Sequence, residues 1–259
     1  MTKPSSSHSS FDFIEAANYG YKALWENRIV LLRLLSLPFF VKCGCIAAIL
    51  LMGFQDDVLK HGLLMLPSYF AEGFVIGYVI RMFYANRDIG DDVSQGKLYS
   101  NDIMAAMILY VLIKILIAVM LGAAFQSVTP EMLKDSESLP PELASIFLML
   151  FAFTIWAFRF LWMYVPVAMG YSLRLFFKRI ASFMITFQML GTWFICFMPI
   201  ALFTLLLSQF IASLLGSLGA VELLSLLVIS CVQGGMEIII SLLAALSMSH
   251  GFKALMSNQ

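Results

Sequence analysis

Six long apolar runs, almost free of charged residues, constrain this chain more than any other feature of its sequence. A helix needs about 20 consecutive apolar residues to cross the hydrocarbon core of a bilayer. The predicted spans are residues 34–54, 63–84, 103–125, 146–171, 183–210 and 223–248. With 61% hydrophobic and only 12% charged residues, the chain carries more apolar surface than one water-soluble core can bury. The sequence therefore predicts an all-α, polytopic membrane protein with six transmembrane helices.

Two segments precede the first span. Residues 1–10 are polar, and we expect a disordered tail. Residues 11–28 carry apolar side chains at helical spacing, and Ser9 followed by Asp12 resembles a capping box. The apolar face consists of Ile14, Ala17, Tyr21, Leu24 and Trp25. This pattern predicts an amphipathic helix that either lies in the membrane interface or packs on the end of the bundle formed by residues 29–256.

The basic residues are distributed unevenly between the predicted loops, and this sets the orientation. With the N-terminus in the cytoplasm, the cytoplasmic segments hold nine lysines and arginines, whereas the outer segments hold only Lys60 and Lys134. Loops rich in lysine and arginine stay on the cytoplasmic side of a membrane. We therefore expect a bacterial inner (cytoplasmic) membrane protein with both termini in the cytoplasm.

Five ionisable residues interrupt the apolar runs near the predicted middle of the membrane: Lys42, Glu72, Lys114, Arg159 and Glu237. Each would cost about 2.5–3.5 kcal/mol at that depth if it stayed unpaired. Small or polar residues share a helix face with three of them, namely Ser68 with Glu72, Tyr110 with Lys114, and Gly234 and Ser241 with Glu237. We therefore expect the charges to face the interior of the bundle and to pair there.

Two functions follow from such charges, and both stay open at the level of the sequence. The first is a small transporter or permease-like protein with a polar path, in which Glu72 and Glu237 bind protons or cations. In that interpretation Lys42, Lys114 and Arg159 are counter-ions, or ligands of an anionic substrate. The second is a scaffold or assembly factor whose charges form a structural salt-bridge network. We take transport as the working prediction.

An enzyme acting on a lipid phosphate is a distant third. Asp88, Asp91 and Asp92 follow the second span at a spacing that can hold Mg²⁺, although a solvated turn gives the same pattern. No nucleophile–base pair, phosphate loop or zinc spacing is present, so we predict no enzymatic activity and no cofactor. The four cysteines lie in apolar runs without partner ligands, so we expect them to serve in packing and not in a metal site. They are Cys43, Cys45, Cys196 and Cys231.

The charge balance also bears on partners. Sixteen basic and sixteen acidic residues give no formal net charge, so nucleic acid is not an expected partner. The lipid bilayer is the expected partner, and small-residue helix faces leave open a second membrane protein or a second copy of this chain.

One short motif occurs twice. The chain reads GYVIRMFYANRD from Gly77 and GYSLRLFFKRI from Gly170. Both copies close predicted spans that run towards the cytoplasm, where Arg81 and Arg174 would serve as anchors at the interface. Internal duplication is the alternative explanation.

Two stretches carry a resemblance to a known group, and a third departs from its pattern. The chain reads YGYKALWENRIVLLRLLSLPFF from Tyr19 and RFLWMYVPVAMG from Arg159. These stretches resemble the first and fourth helices of uncharacterised six-helix inner-membrane proteins of alphaproteobacteria. Where many of those proteins carry His and Glu after the second helix, this chain reads VIRMFYANRDIGDD. The resemblance implies a helical bundle in the inner membrane and no particular activity.

Overall fold

The computed structural model describes residues 11–55, 57–84, 101–127, 154–217 and 221–256, with the backbone alone for residues 121–127. Helices and short turns account for all of this described part, which confirms the prediction of an all-α chain. The helices are α1 (Phe13–Glu26), α2 (Arg28–Met52), α3 (Val58–Tyr84), α4 (Asn101–Ser127), α5 (Tyr164–Ala168), α6 (Leu173–Arg179), α7 (Phe183–Ser217) and α8 (Glu222–Met256).

Within the described ranges, five helices are long and apolar enough to cross a membrane: α2, α3, α4, α7 and α8. They coincide with the first, second, third, fifth and sixth predicted spans. Large apolar side chains are exposed along them, for example Phe40 at 70% and Phe210 at 65%. Exposed apolar surface of this extent is stable only in lipid, so these helices identify a membrane protein.

The fourth predicted span, residues 146–171, is not one continuous α-helix in its described part. Residues 146–153 lie outside the described residues, and a helical turn at 154–157 leads into a 3₁₀ turn, Phe158–Trp162, before α5. Pro166 gives a physical reason, because its ring clashes with the carbonyl of the residue four positions earlier, Trp162. The count of six spans is therefore not confirmed.

Helix α1 packs on α7 and α8. Its buried residues are small: Ala16, Ala17, Gly20 and Ala23. A methyl group at Gly20 would overlap the hydroxyl of Ser247 in α8, so the absence of a side chain allows this close approach. The Tyr21 hydroxyl donates a hydrogen bond to the carbonyl of Ile195 in α7, at 3.1 Å.

The predicted apolar face of α1 is packed in part, and the predicted cap is corrected. Of that face, Ala17 is buried and Tyr21 and Leu24 pack on the core, whereas Ile14 and Trp25 are 53% and 69% exposed. Asp12, and not Ser9, caps the helix, and its carboxylate accepts hydrogen bonds from the backbone N–H groups of Ile14 and Glu15. A location of α1 at the membrane interface stays a prediction.

The two copies of the repeated motif contact each other. Residues 77–84 of the first copy lie within α3, and its last four residues lie outside the described residues. The second copy begins at a turn, because Gly170 has φ +87°, and continues into the short helix α6. The Arg81 guanidinium is 2.9 Å from the Asp102 carboxylate and would lie 2.8 Å from a Cβ at Gly170. The hydroxyls of Tyr84 and Tyr171 are hydrogen-bonded. The second copy was predicted to close a continuous span. It instead begins at this turn and continues into α6.

Candidate functional site: a charged cluster between four helices

Four of the five predicted midplane charges meet at one point, where α2, α3, α4 and α8 contact one another. We call Lys42, Glu72, Lys114 and Glu237 the charged cluster. The Lys42 ammonium is its centre: it donates to Glu72 Oε1 at 2.8 Å and to Glu237 Oε2 at 2.6 Å. The side chain of Lys42 is 2% exposed, so both contacts are shielded from solvent on the lysine side.

Glu72 is fully buried and has a hydrogen-bond donor on each oxygen. Oε1 accepts from Lys42 and from the Ser68 hydroxyl at 3.0 Å, and Oε2 accepts from the Tyr110 hydroxyl at 2.9 Å. Ser68 lies one helical turn before Glu72 in α3, which places both side chains on one face. A buried carboxylate requires such partners, because an unpaired one costs on the order of several kcal/mol in a low-dielectric interior.

Glu237 has the same chemistry in a more open place. Its carboxylate bridges the two lysines, with Oε1 2.5 Å from the Lys114 ammonium and Oε2 on Lys42. The side chain of Glu237 is nonetheless 47% exposed, and that of Lys114 is 17% exposed. One carboxylate of the cluster is therefore enclosed and the other is accessible.

The sequence positions these groups through small residues on α8. A Cβ at Gly234 would lie 3.2 Å from Cδ of Lys42, so the lysine stem passes directly over this glycine. Ser241, one turn beyond Glu237 in α8, lies close enough to Tyr110 of α4 for a hydrogen bond. The two positive and two negative charges of the cluster cancel, so its assembly leaves no net charge in the membrane.

A groove lies at the end of the bundle where α2 ends and α3 begins. This α2–α3 groove has a volume of about 910 Å³ and is lined by residues including Phe54, Lys60, Tyr69 and Ala118. Tyr69, at its inner end, interacts electrostatically with Lys114 and Glu237. At the rim, the Lys60 ammonium lies 2.9 Å from the Asp57 carboxylate. No residue of the charged cluster lines the groove, but Tyr69 and Ala118 among its lining residues are each about one helical turn from a cluster residue, Glu72 and Lys114 respectively.

The opposite direction, towards α1, is closed by packing. Residues 75–80 of α3 are all buried. Beyond them come the Arg81–Asp102 ion pair, which ties α3 to α4, and the hydrogen bond between Tyr84 and Tyr171. On this side, packed residues of the described helices separate the cluster from the end of the bundle.

Arg159 lies apart from the cluster. Its guanidinium donates to the carbonyls of Trp156 at 2.8 Å and Ile180 at 3.0 Å, and it lies over the Trp156 ring at 5.0 Å. Ile180 follows the last residue of α6, where a cation is favoured by the helix dipole. In the described part of the chain Arg159 therefore joins the 3₁₀ turn to the end of α6.

The remaining predicted residues fall elsewhere. Asp88, Asp91 and Asp92 lie outside the described residues, and no group of His, Cys, Asp and Glu within the described ranges could hold a metal ion. Arg81 is paired with Asp102, and Arg174 is exposed on α6. The four cysteines carry free thiols, and those of Cys43 and Cys231 lie close enough to hydrogen-bond.

Sequence reasoning missed Tyr69. It lies three residues before Glu72 in α3, so the two side chains are only about 60° apart around the helix. This i, i+3 spacing was the available signal.

The chain matches no family model, no curated protein and no solved structure. The resemblance to six-helix inner-membrane proteins therefore stays a prediction.

Proposed function

We propose that this protein is a small membrane transporter whose polar path runs along the α2–α3 groove to Glu237 and Lys114. The observation that carries the proposal is the 47% exposure of Glu237, the carboxylate that bridges both lysines of the cluster. A half-exposed carboxylate is costly against lipid tails, which favours contact with water or a polar ligand. The groove beside Tyr69 supplies the approach.

The cluster suits exchange of an ion for one of its own charges. A proton or cation on Glu237 would release the Lys114 ammonium, and an anion on Lys114 would release Glu237. Lys42 would keep Glu72 as its partner in both cases, at 2.8 Å. Since Glu237 is on α8 and Lys114 on α4, the exchange would loosen the contact between these helices. With α1 in the cytoplasm, the groove opens to the outside.

The second candidate is a scaffold held together by the cluster. Its support is the charge balance and the fully hydrogen-bonded state of Glu72, which are what a purely structural network requires. The two candidates differ in whether water reaches Glu237 through the groove.

Cysteine labelling tests this difference. In a background without the four native cysteines, Ala118→Cys places a thiol in the groove, one turn from Lys114. Leu116→Cys is the matched control, since it is on the same helix at similar depth and 54% exposed on the outside of the bundle. A charged, membrane-impermeant thiosulfonate reacts only with a hydrated thiolate.

We expect Ala118→Cys to react at least about tenfold faster than Leu116→Cys, because only the groove provides water to form the thiolate. Glu237→Gln should change the labelling rate of Ala118→Cys while protein levels in the membrane stay the same. Equally slow labelling at both positions would contradict the hypothesis of transport through this groove and would favour the scaffold.

A further inference from the structure

A second depression lies on another side of the bundle. This crevice, between α2, α7 and α8, has a volume of about 440 Å³. Phe39 on α2, Leu207 on α7 and Ile239 on α8 are among its lining residues, and Ser36 is the single residue with a polar side chain among them. The crevice is separate from the charged cluster, none of whose residues lines it. Its apolar walls suit a hydrocarbon chain and no charged ligand.

The side chains around the crevice show which surroundings it faces. Leu32 and Phe40, at its two ends on α2, are 62% and 70% exposed. Both belong to a helix that is long and apolar enough to cross the membrane. The crevice therefore opens to the acyl chains of the bilayer.

A cation stands at one end of the crevice. Arg33 follows Leu32 near the start of α2, and its side chain is exposed. Among the described residues it has no carboxylate partner, unlike Lys22 and Lys60, which are paired with Glu26 and Asp57. The Ser36 hydroxyl donates to the Arg33 carbonyl at 2.7 Å. Ser36 and Arg33 are one turn apart, so the cation and the crevice lie on neighbouring parts of one helix surface.

We propose that this crevice binds an anionic phospholipid of the leaflet in which α2 begins. One acyl chain fills the crevice, and the head-group phosphate contacts the Arg33 guanidinium. The distance fits, because Arg33 lies at the end of α2 where a span enters the head-group region, and the crevice extends from there to Phe40, about 10 Å deeper. A basic side chain near the membrane surface favours anionic lipids by roughly fivefold.

Native mass spectrometry of the purified protein in detergent tests the site. The probes are phosphatidylglycerol and phosphatidylcholine with identical acyl chains, added separately at matched concentrations. Arg33→Gln removes the cation, Ser36→Leu fills the crevice, and Lys22→Gln is the control for loss of a positive charge near the same end of the bundle. Gel filtration and circular dichroism establish that each variant is folded.

The wild-type protein should bind phosphatidylglycerol in preference to phosphatidylcholine. Arg33→Gln should reduce that preference about fivefold, and Ser36→Leu should weaken both lipids, whereas Lys22→Gln should change neither. Equal binding of the two lipids by the wild type would overturn the proposal. So would an equal effect of Lys22→Gln and Arg33→Gln, or a dimer that excludes lipid and is broken by Ser36→Leu, since the crevice would then hold a second copy of the chain.

Discussion

Glu72 and Glu237 are the same residue type, share Lys42 as a partner and differ in almost everything else. Glu72 is completely buried and accepts hydrogen bonds from the neutral hydroxyls of Ser68 and Tyr110 as well as from the lysine. Among the described residues, Glu237 has the two lysines as its partners and is 47% exposed. We propose that the cluster contains a fixed half around Glu72 and an exchangeable half around Glu237.

The difference arises from what surrounds each carboxylate. Desolvation makes an unpaired buried charge expensive, so the Glu72 half is stable only when complete. Where water can replace a lost partner, as at Glu237, the same loss costs much less. The following predictions, ordered by expected effect, test whether the two halves separate in this way.

The largest effect is expected for Glu72→Gln. The substitution leaves the Lys42 charge buried with only Glu237 to balance two lysines, so the free energy of unfolding should fall by about 3–5 kcal/mol. Titration with sodium dodecyl sulfate in detergent micelles, followed by circular dichroism, measures this quantity. Glu222→Gln, at the exposed start of α8, is the control and should stay within about 0.5 kcal/mol. A loss at Glu72 no larger than this control would show that the buried half is not fixed.

Tyr110→Phe should have an intermediate effect. It removes the hydroxyl that donates to Glu72 Oε2 at 2.9 Å and leaves that oxygen without a donor among the described contacts. A hydrogen bond to a charged group contributes about 1.5–3 kcal/mol, and a loss in this range is expected in the same titration. Tyr69→Phe serves for comparison, because Tyr69 lines the groove on the open side. A larger loss for Tyr69→Phe would reverse the assignment of the two halves.

The double substitution Lys114→Met with Glu237→Met should leave stability nearly unchanged. It removes one positive and one negative charge and leaves Lys42 paired with Glu72, and apolar replacement of an ion pair is often neutral. We expect a change of no more than about 1 kcal/mol, together with slower labelling at Ala118→Cys, because the polar end of the groove is gone. Strong destabilisation would mean that both halves are structural and would favour the scaffold.

The smallest effect is expected at the rim of the groove, for Asp57→Ala. The backbone N–H and the side chain of Lys60 hold the pKa of the Asp57 carboxyl below its ordinary value. A lowered pKa means that this carboxylate stabilises the start of α3 above its unfolded pKa and loses that contribution as the pH falls through the folded pKa. Thermal unfolding should therefore show a small deficit for the variant at neutral pH that shrinks in acid. A deficit independent of pH would contradict the assignment.

Helical periodicity in the sequence was sufficient to predict the surroundings of Glu72. It predicted less about the other contacts of the molecule. The spacing of Ser68 from Glu72, and of Tyr110 from Lys114, is a property of one helix, so helical periodicity reveals it. The cost of burying a charge then requires pairing, and the pairing of Lys42 with both carboxylates satisfies that requirement. Five of the six predicted spans are recovered for the same reason, since apolar length is a local signal.

What sequence reasoning could not reach depends on contacts between distant segments. Arg159 has the same apparent depth as the cluster, but the break before Pro166 and the position of α6 turn it towards Ile180. The close approach of α1 to α8 was not predicted, because small residues indicate such an approach only when the opposing helix is known. Gly20 meets Ser247, which lies more than two hundred residues away in the chain.

The length of α8 has a mechanical consequence. Its 35 residues extend about 52 Å, well beyond the roughly 30 Å of a bilayer core. One helix therefore carries both Glu237 and the surface on which α1 packs. Ser247 and His250 contact α1 about 15–20 Å along the axis from Glu237. A tilt or rotation of the whole of α8 that separates Glu237 from Lys114 would also move the surface on which α1 packs. Movement of Glu237 on α8 would therefore be transmitted to helix α1.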